Sequence, residues 1–297
     1  MNAANISKAI LSISSPGTCL WDDAAKCASL SRDVNSYAAG LQAAHPDRFG
    51  FWATLPLPYV NESIAEIDAA LDEGAEGFVW MTNYRGYYLG DPIFDEVLNV
   101  LNERNATIFF HPTTPYTACR YGAGCDWSGI QAAPLADTFP SPLFEFFFDT
   151  ARLMTNMLLR GVYSRFPCIT TIFAHAGGAF PPLLTRVLQF GKLLQTSLPD
   201  GVVVIDEGEA REILETRCYF DLAGWPFPGE LPAMMRATGV AEDRLLYGSD
   251  FPFFPEPLVV NLTKIMDDGL VTTIGPEAVA LVHRINAERL LGASNGA

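Results

Sequence analysis

The chain is poor in the features that mark several large classes of protein. Its formal net charge is −15, from only 19 Lys and Arg against 34 Asp and Glu, which argues against binding to nucleic acid or to an anionic membrane surface. No apolar run reaches the ~18 residues that cross a bilayer, and no leader is visible at the N-terminus. GxGxxG and Walker loops are absent too, so we expect no organic cofactor. These absences favour a cytoplasmic protein that acts on a small molecule.

Cysteine is also sparse. The chain contains six Cys in 297 residues and no CxxC pair, which argues against a thiolate zinc site and against a disulfide scaffold. We therefore expect free thiols in a reducing cytosol. A bridge between Cys119 and Cys125 is the alternative that the spacing leaves open.

The abundant residues are those that build a large core. Hydrophobic residues make up 49% of the chain and aromatic residues 12%, a composition typical of globular proteins. Short apolar runs alternate with amphipathic helical stretches, which indicates a parallel sheet covered by helices. A (β/α) barrel of ~200–400 residues is one domain, so we predict a single domain over residues 1–297.

The pattern along the chain predicts seven strands, over 8–14, 49–54, 77–81, 107–110, 169–174, 218–222 and 244–247. It predicts helices over 24–44, 61–72, 143–164 and 276–291, and further helices that begin at 91 and 181. A closed barrel needs eight strands, so we expect a (β/α)8 barrel that lacks its first strand. The long stretch 112–142 follows a strand end and is rich in Gly and Pro, and we expect an active-site lid there.

Three polar residues stand where predicted strands end. His111 ends the fourth strand, His175 follows the fifth and Asp250 follows the seventh. Because the carboxyl ends of barrel strands meet at one face, we expect these side chains to converge. Imidazole and carboxylate together suit Zn²⁺ and similar ions. The pattern therefore predicts a metal site, although a structural His, a loop His bonded to backbone and a helix-capping Asp are the ordinary alternatives.

The same motifs resemble those of the amidohydrolase-related decarboxylases. This family contains aminocarboxymuconate-semialdehyde and γ-resorcylate decarboxylases, and the resemblance is strongest to its fungal 6-methylsalicylate decarboxylase branch. It extends over nearly the whole chain. Besides the three strand ends, it rests on the segments 48–56 (RFGFWATLP), 83–92 (NYRGYYLGDP), 148–150 (FDT) and 286–292 (NAERLLG).

The resemblance implies a barrel of the metal-dependent hydrolase type with one divalent ion, Zn²⁺ or alternatively Mn²⁺. It implies that His111 and Asp250 are metal ligands and that His175 and Asp250 are catalytic. The family's His-x-His or Glu-x-His pair on the first strand has no counterpart in this chain. The resemblance also implies a homodimer.

The implied reaction is the non-oxidative decarboxylation of a small hydroxybenzoate, such as 6-methylsalicylate or an orsellinate-like acid, in polyketide metabolism. The ring carbon that loses CO₂ must gain a proton, which His175 or Asp250 could supply. The substrate carboxylate needs a cationic partner, and an apolar pocket favours loss of CO₂. The candidate substrate-binding residues are Arg152, Arg186, Trp80, Tyr84, Phe148, Trp225 and Phe253.

Two other functions stay open at this level. The fold alone does not separate a decarboxylase from a metal-dependent hydrolase of an ester, lactone or amide. A barrel without its first strand is also compatible with an inactive paralogue or an interaction subunit.

Overall fold

The centre of the molecule is a wholly parallel sheet of seven strands in chain order. A computed structural model describes residues 1–2, 5–117, 130–197 and 202–294. The strands are β1 Ala9–Leu11, β2 Phe49–Thr54, β3 Gly77–Met81, β4 Thr107–His111, β5 Thr170–Phe173, β6 Cys218–Asp221 and β7 Leu245–Leu246. Within these residues β1 and β7 do not pair with each other, so the barrel is incomplete at that position.

Helices alternate with the strands. They are α1 Ala24–Ala44, α2 Val60–Asp72, α3 Asp95–Glu103, α4 Glu145–Leu159, α5 Val162–Arg165, α6 Leu184–Leu193, α7 Glu207–Arg217, α8 Glu230–Thr238, α9 Glu256–Thr273, α10 Glu277–Ala280 and α11 Asn286–Ser294. This order confirms the predicted α/β class and the barrel type. None of the helices in the described ranges has the length and apolarity needed to cross a bilayer.

The register of the strands separates two faces of the sheet. Trp80 pairs in register with Phe110, and Phe110 with Phe173. The rings of Phe110 and Phe173 stack at 5.2 Å, and Phe220 continues the row on β6. His111 comes one residue after Phe110, so its side chain points to the opposite face. The buried aromatic row and His111 therefore belong to different layers of the protein.

Most predicted elements agree with the structure, and α1, β2 and β3 have the predicted bounds. The helix expected over 143–164 is wrong as one element, because Gly161 adopts a left-handed conformation (φ 60°) between α4 and α5. Such a residue ends a helix. The closing helix expected over 276–291 is divided into α10, a π-helical turn at Leu281–Ile285, and α11. Three helices, α7, α8 and α9, were not predicted.

The expected lid over 112–142 is described only at its two ends. There Tyr116–Thr117 pairs antiparallel with Ile130–Gln131. Residues 118–129 of the expected lid lie outside the described residues, and so do Cys119 and Cys125.

The expectation of free thiols is wrong for Cys19 and Cys27, which form a disulfide. Asp23 caps α1 by accepting the N–H of Lys26. The loop from β1 folds back over the first turn of this helix, which brings the two Cα atoms to 4.6 Å, a normal separation for a bridge. Cys168 and Cys218 are free.

Candidate active site

His111, the last residue of β4, has a polar partner at each ring nitrogen. Nδ1 lies 2.7 Å from the carbonyl oxygen of Pro112, and Nε2 lies 3.3 Å from Oγ of Ser14. Because a carbonyl oxygen only accepts hydrogen bonds, we assign the proton to Nδ1 and a lone pair to Nε2. Burial lowers the pKa of His111 to about 4. The ring is therefore neutral near pH 7, with Nε2 able to accept a hydrogen bond.

His175 lies in a tight turn after β5, with a left-handed backbone (φ 53°) that non-glycine residues rarely adopt. Asp221, at the end of β6, holds this turn: its Oδ1 accepts the N–H groups of His175 and Ala223, both at 3.0 Å. The ring of Phe147 in α4 lies beside the imidazole, with centroids 5.4 Å apart. Gly178 allows the backbone of α4 to lie close to this turn, because a Cβ at Gly178 would lie 2.7 Å from the carbonyl oxygen of Phe147.

Asp250 follows β7 and meets His175. Its Oδ2 lies 3.9 Å from Nε2 of His175, and its backbone is also left-handed (φ 53°). Both side chains are mostly shielded but reach solvent, with 15% of His175 and 23% of Asp250 exposed. Backbone strain of this kind concentrates at functional sites, so the pair is the best candidate for chemistry in the fold.

The charges around His175 are mainly carboxylates. Burial by itself would lower the pKa of His175, but the carboxylates of Asp250, Asp221 and Glu230 outweigh it and raise that pKa. Burial raises the pKa of Asp221, and it raises that of Glu230 to about 7. Glu230 is the first residue of α8, which packs against the turn that carries His175. Such a cluster can hold and transfer a proton.

The structure thus brings His175 and Asp250 together, and it places His111 near enough for both to influence its pKa. Ser14, Asp221 and Glu230 are site residues that sequence reasoning missed. Ser14 and Asp221 stand at the ends of predicted strands, so the signal that found His111 could have found them. Glu230 begins a helix that was not predicted.

The five predicted aromatic contacts divide into two buried residues and three exposed ones. Trp80 and Tyr84 are buried and pack edge-to-face against Phe94. Trp80 lies on the face of the sheet opposite to His111. Phe148, Trp225 and Phe253 are 47%, 56% and 65% exposed.

The two predicted arginines have partners elsewhere. Nη1 of Arg152 lies 3.6 Å from Oδ1 of Asp149, and the Arg152 side chain is 44% exposed. The guanidinium of Arg186 lies over the ring of Phe190 in its own helix, 4.5 Å from the centroid. Their role in holding a substrate carboxylate stays a prediction.

The residues present fit the expected metal ion only in part. The bond from Nδ1 of His111 to a backbone carbonyl is the kind that orients metal-binding histidines. However, the described ranges place no three His, Cys, Asp or Glu side chains where they could hold one metal ion. The donor set in the described residues is therefore incomplete.

Comparisons with known proteins identify the family and the fold of the chain. The family model described as Amidohydrolase matches residues 20–293. The chain is 29% identical over 290 residues to the 6-methylsalicylic acid decarboxylase acuB of Aspergillus aculeatus. The alignment covers 96% of this chain and 80% of that protein. It is 31% identical over 304 residues to the decarboxylase yanB of Aspergillus niger, and this alignment covers 98% of this chain and 76% of that protein.

Solved structures show the same fold. A 5-carboxyvanillate decarboxylase of Novosphingobium aromaticivorans, complexed with manganese and 4-hydroxy-3-methoxy-5-nitrobenzoic acid, superposes with a TM-score of 0.82 at 21% identity. The superposition covers 98% of this chain and 78% of that one. The relatives of this chain include proteins that are named decarboxylases. Because the family model matches residues 20–293 of this chain, the chain belongs to the amidohydrolase family.

Proposed function

We propose that the protein removes the carboxylate of a small hydroxybenzoate, of the 6-methylsalicylate or orsellinate type, as CO₂ and without net oxidation. One observation carries the proposal: Nε2 of His175 and Oδ2 of Asp250 lie 3.9 Å apart at the strand ends, in a chain whose relatives are named decarboxylases.

The reaction needs a proton at the ring carbon that bears the carboxylate. Once that carbon is protonated, its bond to the carboxylate breaks, the electron pair returns to the ring, and neutral CO₂ leaves. His175 would deliver the proton, a role supported by Oδ2 of Asp250 at 3.9 Å from its Nε2 and by the hydrogen bond from its backbone N–H to Asp221. A positioned acid of this kind contributes about 10²–10⁴-fold to a rate.

The second imidazole is suited to the hydroxyl group of the substrate. Nε2 of His111 carries a lone pair, and its present partner is the Ser14 hydroxyl at 3.3 Å. A phenolic hydroxyl next to the leaving carboxylate can take the place of Ser14. This contact would hold the ring with its carboxylate-bearing carbon towards His175.

The finer parts of the proposal follow from the family. A divalent ion, Zn²⁺ or Mn²⁺, would be held by Asp250, a further donor and Nε2 of His111, where it would take the place of the direct contact with the substrate hydroxyl. It would then serve as an electrostatic template for the substrate oxygens. We retain a homodimer, a lid formed by 112–142, and a role in polyketide metabolism as parts of the proposal. The proposed substrate contacts are Arg152, Arg186, Phe148, Trp225 and Phe253.

Incubation of the purified protein with 6-methylsalicylate tests the proposal. We expect m-cresol and CO₂ to appear in equal amounts as the acid disappears, measured by liquid chromatography and CO₂ trapping. The methyl ester of the same acid is the matched control and should stay unchanged. Cleavage of the ester, with the free acid left intact, would support a hydrolase. No conversion of 6-methylsalicylate or orsellinate, with or without added Zn²⁺ or Mn²⁺, would contradict the proposal.

A further inference from the structure

A buried carboxylate that the proposed chemistry does not use lies in α4. Asp149 has no solvent exposure, and it accepts hydrogen bonds from the hydroxyls of Thr82 and Tyr88 and from Nδ2 of Asn83. A buried charge is unfavourable unless its oxygens are satisfied in this way. Three donors converge on this one carboxylate, which indicates that Asp149 has a specific structural role.

One of these donors connects Asp149 to the segment after His111. Oγ1 of Thr82 donates to Asp149 and also accepts the N–H of Thr113 at 3.1 Å. The backbone N–H of Thr82 donates to the carbonyl oxygen of His111 at 3.0 Å. Thr82 thus holds the chain on both sides of Pro112, and Asp149 holds the hydroxyl of Thr82.

A second donor extends the same connection. Nδ2 of Asn83 lies 2.7 Å from Oδ2 of Asp149 and 3.0 Å from the carbonyl oxygen of Thr114. The Asp149 carboxylate is therefore linked to Thr113 through the side chain of Thr82, and to Thr114 through the side chain of Asn83.

The helix that carries Asp149 also contacts both imidazoles. The ring of Phe146 lies edge-on to His111, with centroids 6.3 Å apart. Phe147 lies beside His175, and its carbonyl oxygen accepts the N–H of Ala179 at 3.1 Å. The helix α4 is therefore a common support for the two strand ends.

We propose that Asp149 is a positioning residue: through Thr82 and Asn83 it sets the place of His111 relative to His175, although it touches no reacting atom. The kinetic part of this inference rests on the proposed function, and the spectroscopic part does not. A displacement of about 1 Å in such a group can lower a rate by about 100-fold.

The variants Thr82→Val and Thr82→Ser test the connection. Valine keeps the shape of threonine and removes the hydroxyl, whereas serine keeps the hydroxyl. We expect Thr82→Val to lower kcat by about 10–100-fold, and Thr82→Ser to remain close to the wild type.

Thr238→Val is the matched control. Thr238 is also fully buried, and its hydroxyl donates to the carbonyl oxygen of Met234 and accepts the N–H of Val240. Thr238 is the last residue of α8, whereas Glu230 is the first. Thr238→Val should lose thermal stability as Thr82→Val does, but should keep kcat.

Nitrogen-15 spectra of the imidazoles give a readout that needs no activity. We expect the two ring-nitrogen resonances of His111 to move in Thr82→Val and in Asp149→Asn, and to stay in place in Thr238→Val. If Thr82→Val does not fold, Asn83→Ala tests the second connection in the same way.

Unchanged His111 resonances and unchanged kcat in Thr82→Val and Asp149→Asn would overturn the inference. If the wild type shows no decarboxylation while the His111 resonances still move as described, the positioning role stands and the proposed function fails.

Discussion

Nε2 of His175 and Oδ2 of Asp250 face each other across 3.9 Å, and both residues have left-handed backbones with φ of 53°. Neither conformation is favourable for a residue with a Cβ. The surroundings must therefore enforce both, and for His175 the hydrogen bond from its backbone N–H to Asp221 is the clearest means. The proposed chemistry therefore lies at the ends of β5 and β7, where this pair meets.

Asp221 should stabilise the fold through its oxygen rather than through its charge. Asp221→Asn keeps an oxygen that can accept both N–H groups, whereas Asp221→Ala leaves two buried amides without a partner. We expect Asp221→Ala to lower the free energy of unfolding by about 1–3 kcal/mol, and Asp221→Asn to lower it clearly less. Urea denaturation measures both. Equal losses in the two variants would contradict this role.

Glu230 should make the protein less stable as the pH rises. Burial raises its pKa from 4.5 to about 7 in the folded protein, so the folded state binds more protons than the unfolded state between these values. Its contribution to stability is therefore complete below the unfolded pKa and is lost as the pH rises through the folded pKa.

Glu230→Gln removes this dependence, because glutamine does not titrate. Between about pH 5 and about pH 8, the wild type should lose more stability than the variant does, as measured by urea denaturation. Glu288→Gln changes a surface carboxylate, 65% exposed, and should follow the wild type. Parallel curves for the wild type and Glu230→Gln would contradict the assignment.

The incomplete donor set predicts weak metal binding. Affinity depends on the number and geometry of the ligands, and the described residues offer an imidazole at His111 and a carboxylate at Asp250. We expect Zn²⁺ or Mn²⁺ to be lost on dialysis against a chelator, and His111→Ala to abolish the remaining binding in calorimetry. A stoichiometric ion that survives dialysis, found by elemental analysis, would show that further donors complete the site.

The disulfide between Cys19 and Cys27 should stabilise the loop after β1. The two residues are separated by 8 positions, and chain entropy for a loop of that length corresponds to about 2–3 kcal/mol. The double variant Cys19→Ser/Cys27→Ser should unfold at correspondingly lower urea, and the wild type should approach it when a dithiol reductant is added. A double variant as stable as the oxidised wild type would contradict this role.

The strands and their polar ends were largely predictable from the sequence. A parallel strand covered on both faces must be a short apolar run, and β2 and β3 are such runs with clear ends. The helix α7 was missed because only Ala210 and Leu214 are buried in it, so it carries no apolar stripe.

The details of the site were less predictable. The convergence of His175 and Asp250 follows from strand order, but the hydrogen bond that Asp221 accepts from His175 depends on a left-handed turn that no periodicity encodes. Trp80 is expected from the sequence to contact the substrate because it is aromatic. Its pairing with Phe110, which places it on the other face from His111, is a matter of register between strands, and one sequence does not reveal that register.

Decarboxylation of 6-methylsalicylate in D₂O, by the wild type and by His175→Asn, tests the central claim most directly. Asparagine tolerates the left-handed backbone at this position, so the variant should fold, which circular dichroism checks. The wild type should release m-cresol with one deuterium on the carbon that lost the carboxylate, and His175→Asn should be about 10²–10⁴-fold slower. Release of m-cresol by a folded His175→Asn variant at the wild-type rate would contradict the account.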